Sequence, residues 1–210
     1  MSQLFDFFID AYRETPVLYI VLEAIAFVFG ILSVIYAKRE NIWVYPTGLI
    51  ATLITMFLLY KAHYLGDMMM NAYYSIMSVY GWWNWSRKKD GEFVVPISKT
   101  NNKEKVIGFG LFLVTMIITY LVYQAYGYEI KTENYIDIFT SGMFFTAMWF
   151  MATKKLENWT LWIIGDLITV PLYAYRGLGM LSLQYLIFTV LAIQGYIAWK
   201  KSLNKTLQTA

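Results

Sequence analysis

Glu40-Asn41-Ile42-Trp43 returns far downstream as Glu157-Asn158-Trp159-Thr160-Leu161-Trp162. Each copy stands between a basic pair, Lys38-Arg39 or Lys154-Lys155, and a long apolar stretch. Gly48 and Gly165 follow at the same distance, Leu172-Tyr173 answers Leu59-Tyr60, Gln184 answers Asn71, and Gly195 to Trp199 answers Gly81 to Trp85. Small register shifts are needed along the way, so the chain carries a diverged duplication. A hydrophobic unit repeated within one membrane chain is a signature of transporters.

Composition places the chain in a bilayer. With 59% hydrophobic residues, 15% charged residues and 18 tyrosines in 210 residues, there is too much apolar surface to hide in a soluble core. Crossing roughly 30 Å of hydrocarbon takes about 20 helical residues. Seven stretches have the length: Val17–Ala37, Ile42–Tyr60, Leu65–Trp85, Val106–Tyr126, Tyr135–Ala152, Trp159–Tyr175 and Leu178–Trp199. Segment 1–16, with Asp6, Asp10, Arg13 and Glu14, lacks a basic n-region or a small-residue cleavage site, so it is expected as an outer N-terminal segment before a retained first span. Cysteine is absent, which excludes disulfides, thiolate metal ligands and thiol catalysis.

Lysine and arginine set the expected orientation, because positive charge is retained on the cytoplasmic side. Lys38, Arg39, Arg87, Lys88, Lys89, Lys99, Lys103, Lys105, Lys154, Lys155, Lys200, Lys201 and Lys205 share one side, and Arg13, Lys61, Lys131 and Arg176 lie on the other. The N-terminus is therefore expected outside and the C-terminus inside. The formal charge of +3 reflects topology, and no nucleic-acid partner is expected. Both basic pairs follow the first helix of their unit on the same side, so the two units share one orientation. Three helices make an odd number of crossings, and a like-oriented second triplet needs one more span between them. The expected fold is all-α with seven transmembrane helices in a 3+1+3 order: a first repeat at 17–85, a solvated cytoplasmic loop at 86–105, a linker helix at 106–126, a second repeat at 135–199 and a frayed tail at 200–210. Parallel repeats of this kind, as in the SWEET transporters, place a substrate near the midplane where the bundles meet.

Polar side chains inside apolar helices face a cavity, a partner helix or water. Asn71, Tyr74, Ser75, Ser78, Trp82 and Trp85 recur at helical spacing on the third span. Gln184 and Gln194 share a face of the seventh, Trp159, Trp162, Asp166 and Tyr173 share a face of the sixth, and Thr47 lies on the corresponding stripe of the second. From these we take Asn71, Tyr74, Ser78, Trp82, Trp162, Asp166, Tyr173, Gln184, Gln194 and Thr47 as candidate substrate-binding residues. The amides have a second reading as interhelical hydrogen-bonding groups, and Trp43, Trp159 and Trp199 a second reading as an interfacial aromatic belt. Asp166 has three: counter-charge to a cationic substrate, structural hydrogen-bond acceptor, or proton-coupling site. His63, the one histidine, sits in a short outer loop beside Lys61 and reads as a surface residue. Glu23, Asp67 and Asp137 stand near outer helix ends, and Pro46 and Pro171 are candidate bends.

Other classes lack their residues. A seven-helix photoreceptor needs a lysine deep in the last span, and Leu178–Trp199 has none. An intramembrane enzyme needs paired acids, a metal cluster or a nucleophile with its base, and a primary pump needs a Gly-rich phosphate loop. No catalytic residue, metal or cofactor is expected.

The set Glu40-Asn41-Ile42-Trp43-Val44-Tyr45-Pro46-Thr47-Gly48, Asp67 to Asn71 with Tyr73-Tyr74, and Tyr80-Gly81-Trp82-Trp83-Asn84-Trp85 resembles the PnuC vitamin-transporter family. Glu157-Asn158-Trp159 through Trp162, Asp166, Leu172-Tyr173, Gly177 and Gly195-Tyr196 resemble it again, so the likeness covers nearly the whole chain. The resemblance implies a SWEET-like fold, commonly trimeric, in a bacterial inner membrane. It also implies uptake of nicotinamide riboside by facilitated diffusion, with phosphorylation by a cytoplasmic kinase preventing return. Thiamine and riboflavin, carried by relatives within the family, remain alternatives. A flat cationic ring with a carboxamide and ribose hydroxyls suits aromatic faces, amides and an anion.

Overall fold

The computed structural model describes residues 13, 15–61, 65–89, 91–93, 95–125, 130–177 and 179–209. Most of the expected outer segment 1–16, and His63, lie outside these residues. Among the described residues are seven helices: α1 (Val17–Lys38), α2 (Val44–Lys61), α3 (Leu65–Ser86), α4 (Asn102–Ala125), α5 (Thr132–Ala152), α6 (Glu157–Tyr175) and α7 (Gly179–Thr209). A short antiparallel hairpin, β1 (Lys88–Lys89) with β2 (Glu92–Phe93), follows α3. Even α2, at 18 residues, extends about 27 Å at 1.5 Å per residue.

α1, α2, α4 and α7 are long and apolar enough to cross a membrane. Of the other three, α5 is the one most shielded by its neighbours, whereas α3 and α6 each leave apolar side chains such as Ile76 and Leu167 exposed. α5 buries eleven residues, including Gly142, Thr146 and Ala147, where α1 buries two. Small residues let backbones approach closely, and α5 accordingly packs on α3, α4 and α6. α1 packs on α2 and α2 on α3, while α6 packs on α7. With α3 against α5 and α7 against α1, six helices close into a ring, and α4 lies against α5.

Two turns reveal how the duplication is built. α1 ends in a Schellman turn, with Asn41 N–H donating to the Tyr36 carbonyl at 2.9 Å and Glu40 N–H to Ala37 at 3.1 Å. α5 ends identically, with Lys155 N–H on Phe150 at 2.8 Å and Lys154 N–H on Met151 at 3.0 Å. The left-handed residue of such a turn is usually glycine. Here it is Glu40 at φ 54° and Lys154 at φ 53°, a conformation that costs a residue with a Cβ about 1–2 kcal/mol. The same interval in the numbering relates Tyr45 to Trp159, Gly81 to Gly195 and Trp85 to Trp199. It also relates two internal back-bonds, Thr55 on Ala51 and Thr169 on Gly165. In the fold Glu40 thus corresponds to Lys154 rather than to Glu157, and Asn71 to Tyr185 rather than to Gln184. The Glu-Asn match in the sequence is out of step with this interval, which is the same on both sides of the turn before α2 and α6.

The ends tie together reciprocally. Trp85 Nε1 donates to the Met151 carbonyl at 3.3 Å, and Trp199 Nε1 to that of Ala37 at 2.9 Å. The C-terminal parts of α1, α3 and α5 therefore meet at one end of the bundle, where α7 joins them about two turns before its own C-terminal extension. That end carries the basic pairs.

Three loop expectations change. The 86–105 segment is docked, since Ser98 N–H donates to Lys154 O at 3.1 Å, Leu156 N–H to Ser98 O at 2.9 Å, and Ile97 and Thr100 are buried. α4 starts at Asn102 because Asn101 and Glu104 form a capping box: each side chain accepts the other's backbone N–H, at 2.9 and 2.8 Å. The tail after Lys201 remains helical to Thr209. Pro46 is the third residue of α2, where its missing N–H has no intrahelical partner to lose, and Pro171 alone lies inside a helix.

Candidate functional site

A continuous train of rings crosses the interior. Tyr73 stacks on Phe145 with centroids 3.8 Å apart and donates its hydroxyl to the Phe145 carbonyl at 2.9 Å. Tyr74 meets both Phe145 and Trp162 at 6.3 Å. Trp162 stacks on Phe144 at 5.3 Å, Phe144 on Tyr185 at 6.0 Å, and Tyr185 touches Tyr173 at 5.3 Å. α3, α5, α6 and α7 each contribute, so the site exists only once the two triplets have met. Such faces attract flat and cationic rings.

Asp166 stands one turn beyond Trp162 on the same face of α6 and is 2% exposed. Among the described residues no cation or hydrogen-bond donor meets its carboxylate. On the same face Thr169 returns its hydroxyl to the Gly165 carbonyl at 2.8 Å. Gln184 and Tyr173 are half-buried, and Asn71 and Tyr74 are half-buried on α3.

Four other expected residues are placed differently. Ser78 is buried at the α2 seam near Gly48. Thr47 is also buried, but its hydroxyl is spent within α2 on Trp43 O at 2.6 Å and Val44 O at 3.2 Å. Gln194 is exposed and accepts from Lys38 Nζ at 2.8 Å across the α1–α7 seam, the interhelical role. Trp82 is 42% exposed. Trp43 is exposed as a belt residue would be, whereas Trp159 and Trp199 are buried. Sequence reading missed Tyr73, Phe144, Phe145 and Tyr185, because it sought polar groups. The fold's register, which pairs Tyr74 with Phe188 and Asn71 with Tyr185, was the signal that could have found the last of them.

Contacts between the helices mark both ends of this bundle. At the basic end Tyr45, Trp85, Trp199 and Trp159 touch in that order at 5.2, 5.9 and 5.5 Å, all nearly inaccessible. Beside them Lys154 lies over the Trp85 ring at 4.6 Å and 3.6 Å from Glu40 Oε2. Burial lowers the Lys154 ammonium below the ordinary lysine value, and Glu40 only partly restores it. At the opposite end Asp137 accepts from Arg176 at 2.6 Å and from Tyr123 at 3.2 Å, joining α5 to α4 and to the turn after α6. Burial opposes the charge on Arg176, but the bond to Asp137 and its charge outweigh this and hold the guanidinium above its usual value.

A helical ring with four helices long and apolar enough to cross a membrane and a polar and aromatic interior defines a multi-pass membrane protein. The chain belongs to the nicotinamide mononucleotide transporter family, the family of the PnuC proteins, whose model it matches over residues 20–201. It is 25% identical over 204 residues to the nicotinamide riboside transporter PnuC of Escherichia coli, covering 86% of this chain and 85% of that one. It is 23% identical over 177 residues to the riboflavin/roseoflavin transporter RibM of Streptomyces davaonensis, covering 82% and 81%. Among solved structures it is similar to the crystal structure of the vitamin B3 transporter PnuC, with a TM-score of 0.69 and 23% identity over 88% of this chain and 82% of that one.

Proposed function

We propose that this protein takes up nicotinamide riboside by facilitated diffusion, with its basic end in the cytoplasm. The observation that carries the reading is the buried carboxylate of Asp166, one helical turn from Trp162, whose ring meets that of Tyr74. A pyridinium ring stacks on the aromatics, and its positive charge removes the penalty on a buried anion. The half-buried amides of Asn71 and Gln184 suit ribose hydroxyls or the carboxamide. Phosphorylation by a cytoplasmic kinase would hold the product inside without ion coupling.

The architecture we infer is 3+1+3 and SWEET-like, with α4 as the linker, α1–α3 and α5–α7 as parallel repeats, the N-terminus outside and the assembly trimeric. The repeated Schellman turns and the reciprocal Trp85 and Trp199 bonds support like-oriented triplets. A second cargo has its own support in the similarity to a riboflavin carrier, and thiamine shares the cationic ring.

Titrating purified protein with nicotinamide riboside, thiamine and riboflavin, and following quenching of its 8 tryptophans, ranks the three cargoes. Tightest binding by nicotinamide riboside is expected. Uptake into liposomes should equilibrate and not respond to collapse of a proton gradient. Accumulation above equilibrium would overturn facilitated diffusion.

A further inference from the structure

Tyr45 and Trp159 hold equivalent places in the two triplets, and each has a buried polar atom, the Tyr45 hydroxyl and the Trp159 indole N–H, with no hydrogen-bond partner. Each ring presses on a glycine of the third helix of its own triplet. A methyl at Gly81 would collide with the Tyr45 ring, and one at Gly195 would lie 2.6–2.7 Å from Trp159. Buried donors of this kind are normally satisfied. Two orphans at matched positions, on one contact surface, describe a closed state that loses hydrogen bonding and would regain it on admitting water. Trp159 lies on the Asp166 face of α6, seven residues nearer the basic end, or about 10 Å along the helix. The four-ring cluster therefore stands between the candidate site and that end. The two strained turns meet over it through Glu40 and Lys154.

Building on the transport reading, we propose that Tyr45, Trp85, Trp159 and Trp199 form the cytoplasmic gate of the path, seated on Gly81 and Gly195, and that the Glu40–Lys154 pair is its latch. Opening parts α3 from α2 and α7 from α6 at these glycines, breaks the Trp85 and Trp199 bonds to the opposite triplet, and hydrates the two orphan donors. The gate is thus held by interactions between the triplets and opposed by unsatisfied groups inside them, the arrangement expected of an element with two states.

The native chain has no cysteine, so a single thiol introduced by Asp166→Cys reports access to the interior. It is challenged with a membrane-impermeant maleimide from either face of oriented vesicles. With the native gate, reaction from the basic-loop face should be slow. Gly195→Ala, which wedges Trp159, should accelerate it at least tenfold from that face alone. Glu40→Gln, a milder change at a partly exposed side chain, should accelerate it several-fold. Tyr45→Phe, which removes an orphan hydroxyl only from the closed state, should slow it several-fold. Equal rates in all four backgrounds, acceleration from the other face, or a shift of Tyr45→Phe in the same direction as Gly195→Ala would overturn the gate. If Gly195→Ala does not fold, the opposed effects of Glu40→Gln and Tyr45→Phe decide it. The labelling needs no substrate: shifted rates, with the native protein binding none of the three vitamins, would refute the cargo and leave the gate standing.

Discussion

A carboxylate at 2% exposure, as at Asp166, is stable as an anion only when a cation or several donors meet it. The aromatic train beside it carries no charge, and on the reading proposed above a cationic ligand supplies the positive one. Asp166→Asn should weaken nicotinamide riboside and thiamine at least tenfold, about 1.4 kcal/mol, and leave neutral riboflavin within twofold. Tryptophan quenching measures both, and equal losses for charged and neutral ligands would reduce Asp166 to a structural role. Trp162→Ala should weaken every flat ligand, because it removes a stacking face and unseats Phe144, with which it is parallel to within 24°. At Trp199 the indole N–H is committed to Ala37 O. Trp199→Phe keeps an aromatic ring but removes that bond, leaving the Ala37 carbonyl with the Glu40 N–H alone, so thermal unfolding in detergent should show a loss of about 0.5–1.5 kcal/mol.

Among the elements, the capping box at Asn101 and Glu104 gives α4 a defined start, and Asn101→Ala should lower stability by about 1 kcal/mol in the same unfolding assay. The number of helices was legible in the sequence because hydrophobic length and basic flanks are local properties, whereas the start of α4 at Asn102 and the run of α7 to Thr209 were not. The duplication was legible too, yet its alignment at Glu40-Asn41 was displaced from the one the backbone uses. Side-chain identity favoured Glu157 as the match, whereas the left-handed turn puts Lys154 in the equivalent place. That correspondence depends on φ, which a glutamate or a lysine does not advertise as glycine does. Docking of Ser98 on the α5–α6 turn was equally hidden, since a polar loop of Lys, Ser and Asn looks solvated until the backbone hydrogen bonds that hold it are known. Of the candidate site, Trp162, Asp166 and Tyr74 were found through their polarity and spacing. Phe144 and Phe145 were not, because a phenylalanine inside an apolar helix carries no signal distinguishing a lipid-facing ring from one turned inward.

For the whole molecule, closure of the ring through α3 with α5 and α7 with α1 means that no substrate can pass without breaking contacts between the triplets. Ligand binding between them should therefore stabilise the entire bundle. At 100 times its dissociation constant, a ligand specific for the native state adds about 2.7 kcal/mol, and nicotinamide riboside should raise the melting temperature where nicotinic acid, an anion, does not. Orientation has its own check: thiols introduced by Lys38→Cys and Lys200→Cys, in separate proteins, should both react from the cytoplasmic face of the cell membrane. Reaction from opposite faces would dismantle the parallel-repeat architecture.

Glu40 and Lys154 occupy the same place in two copies of one ancestral unit, and they carry opposite signs. Had two identical units paired as a homodimer, this place would bring glutamate against glutamate or lysine against lysine, and like charges at close range repel. Within one chain the two places can differ, one acid and the other base. The attraction between them then favours each half's covalent sibling over a stray copy of itself, so the molecule records in one ion pair that its halves have lost their interchangeability.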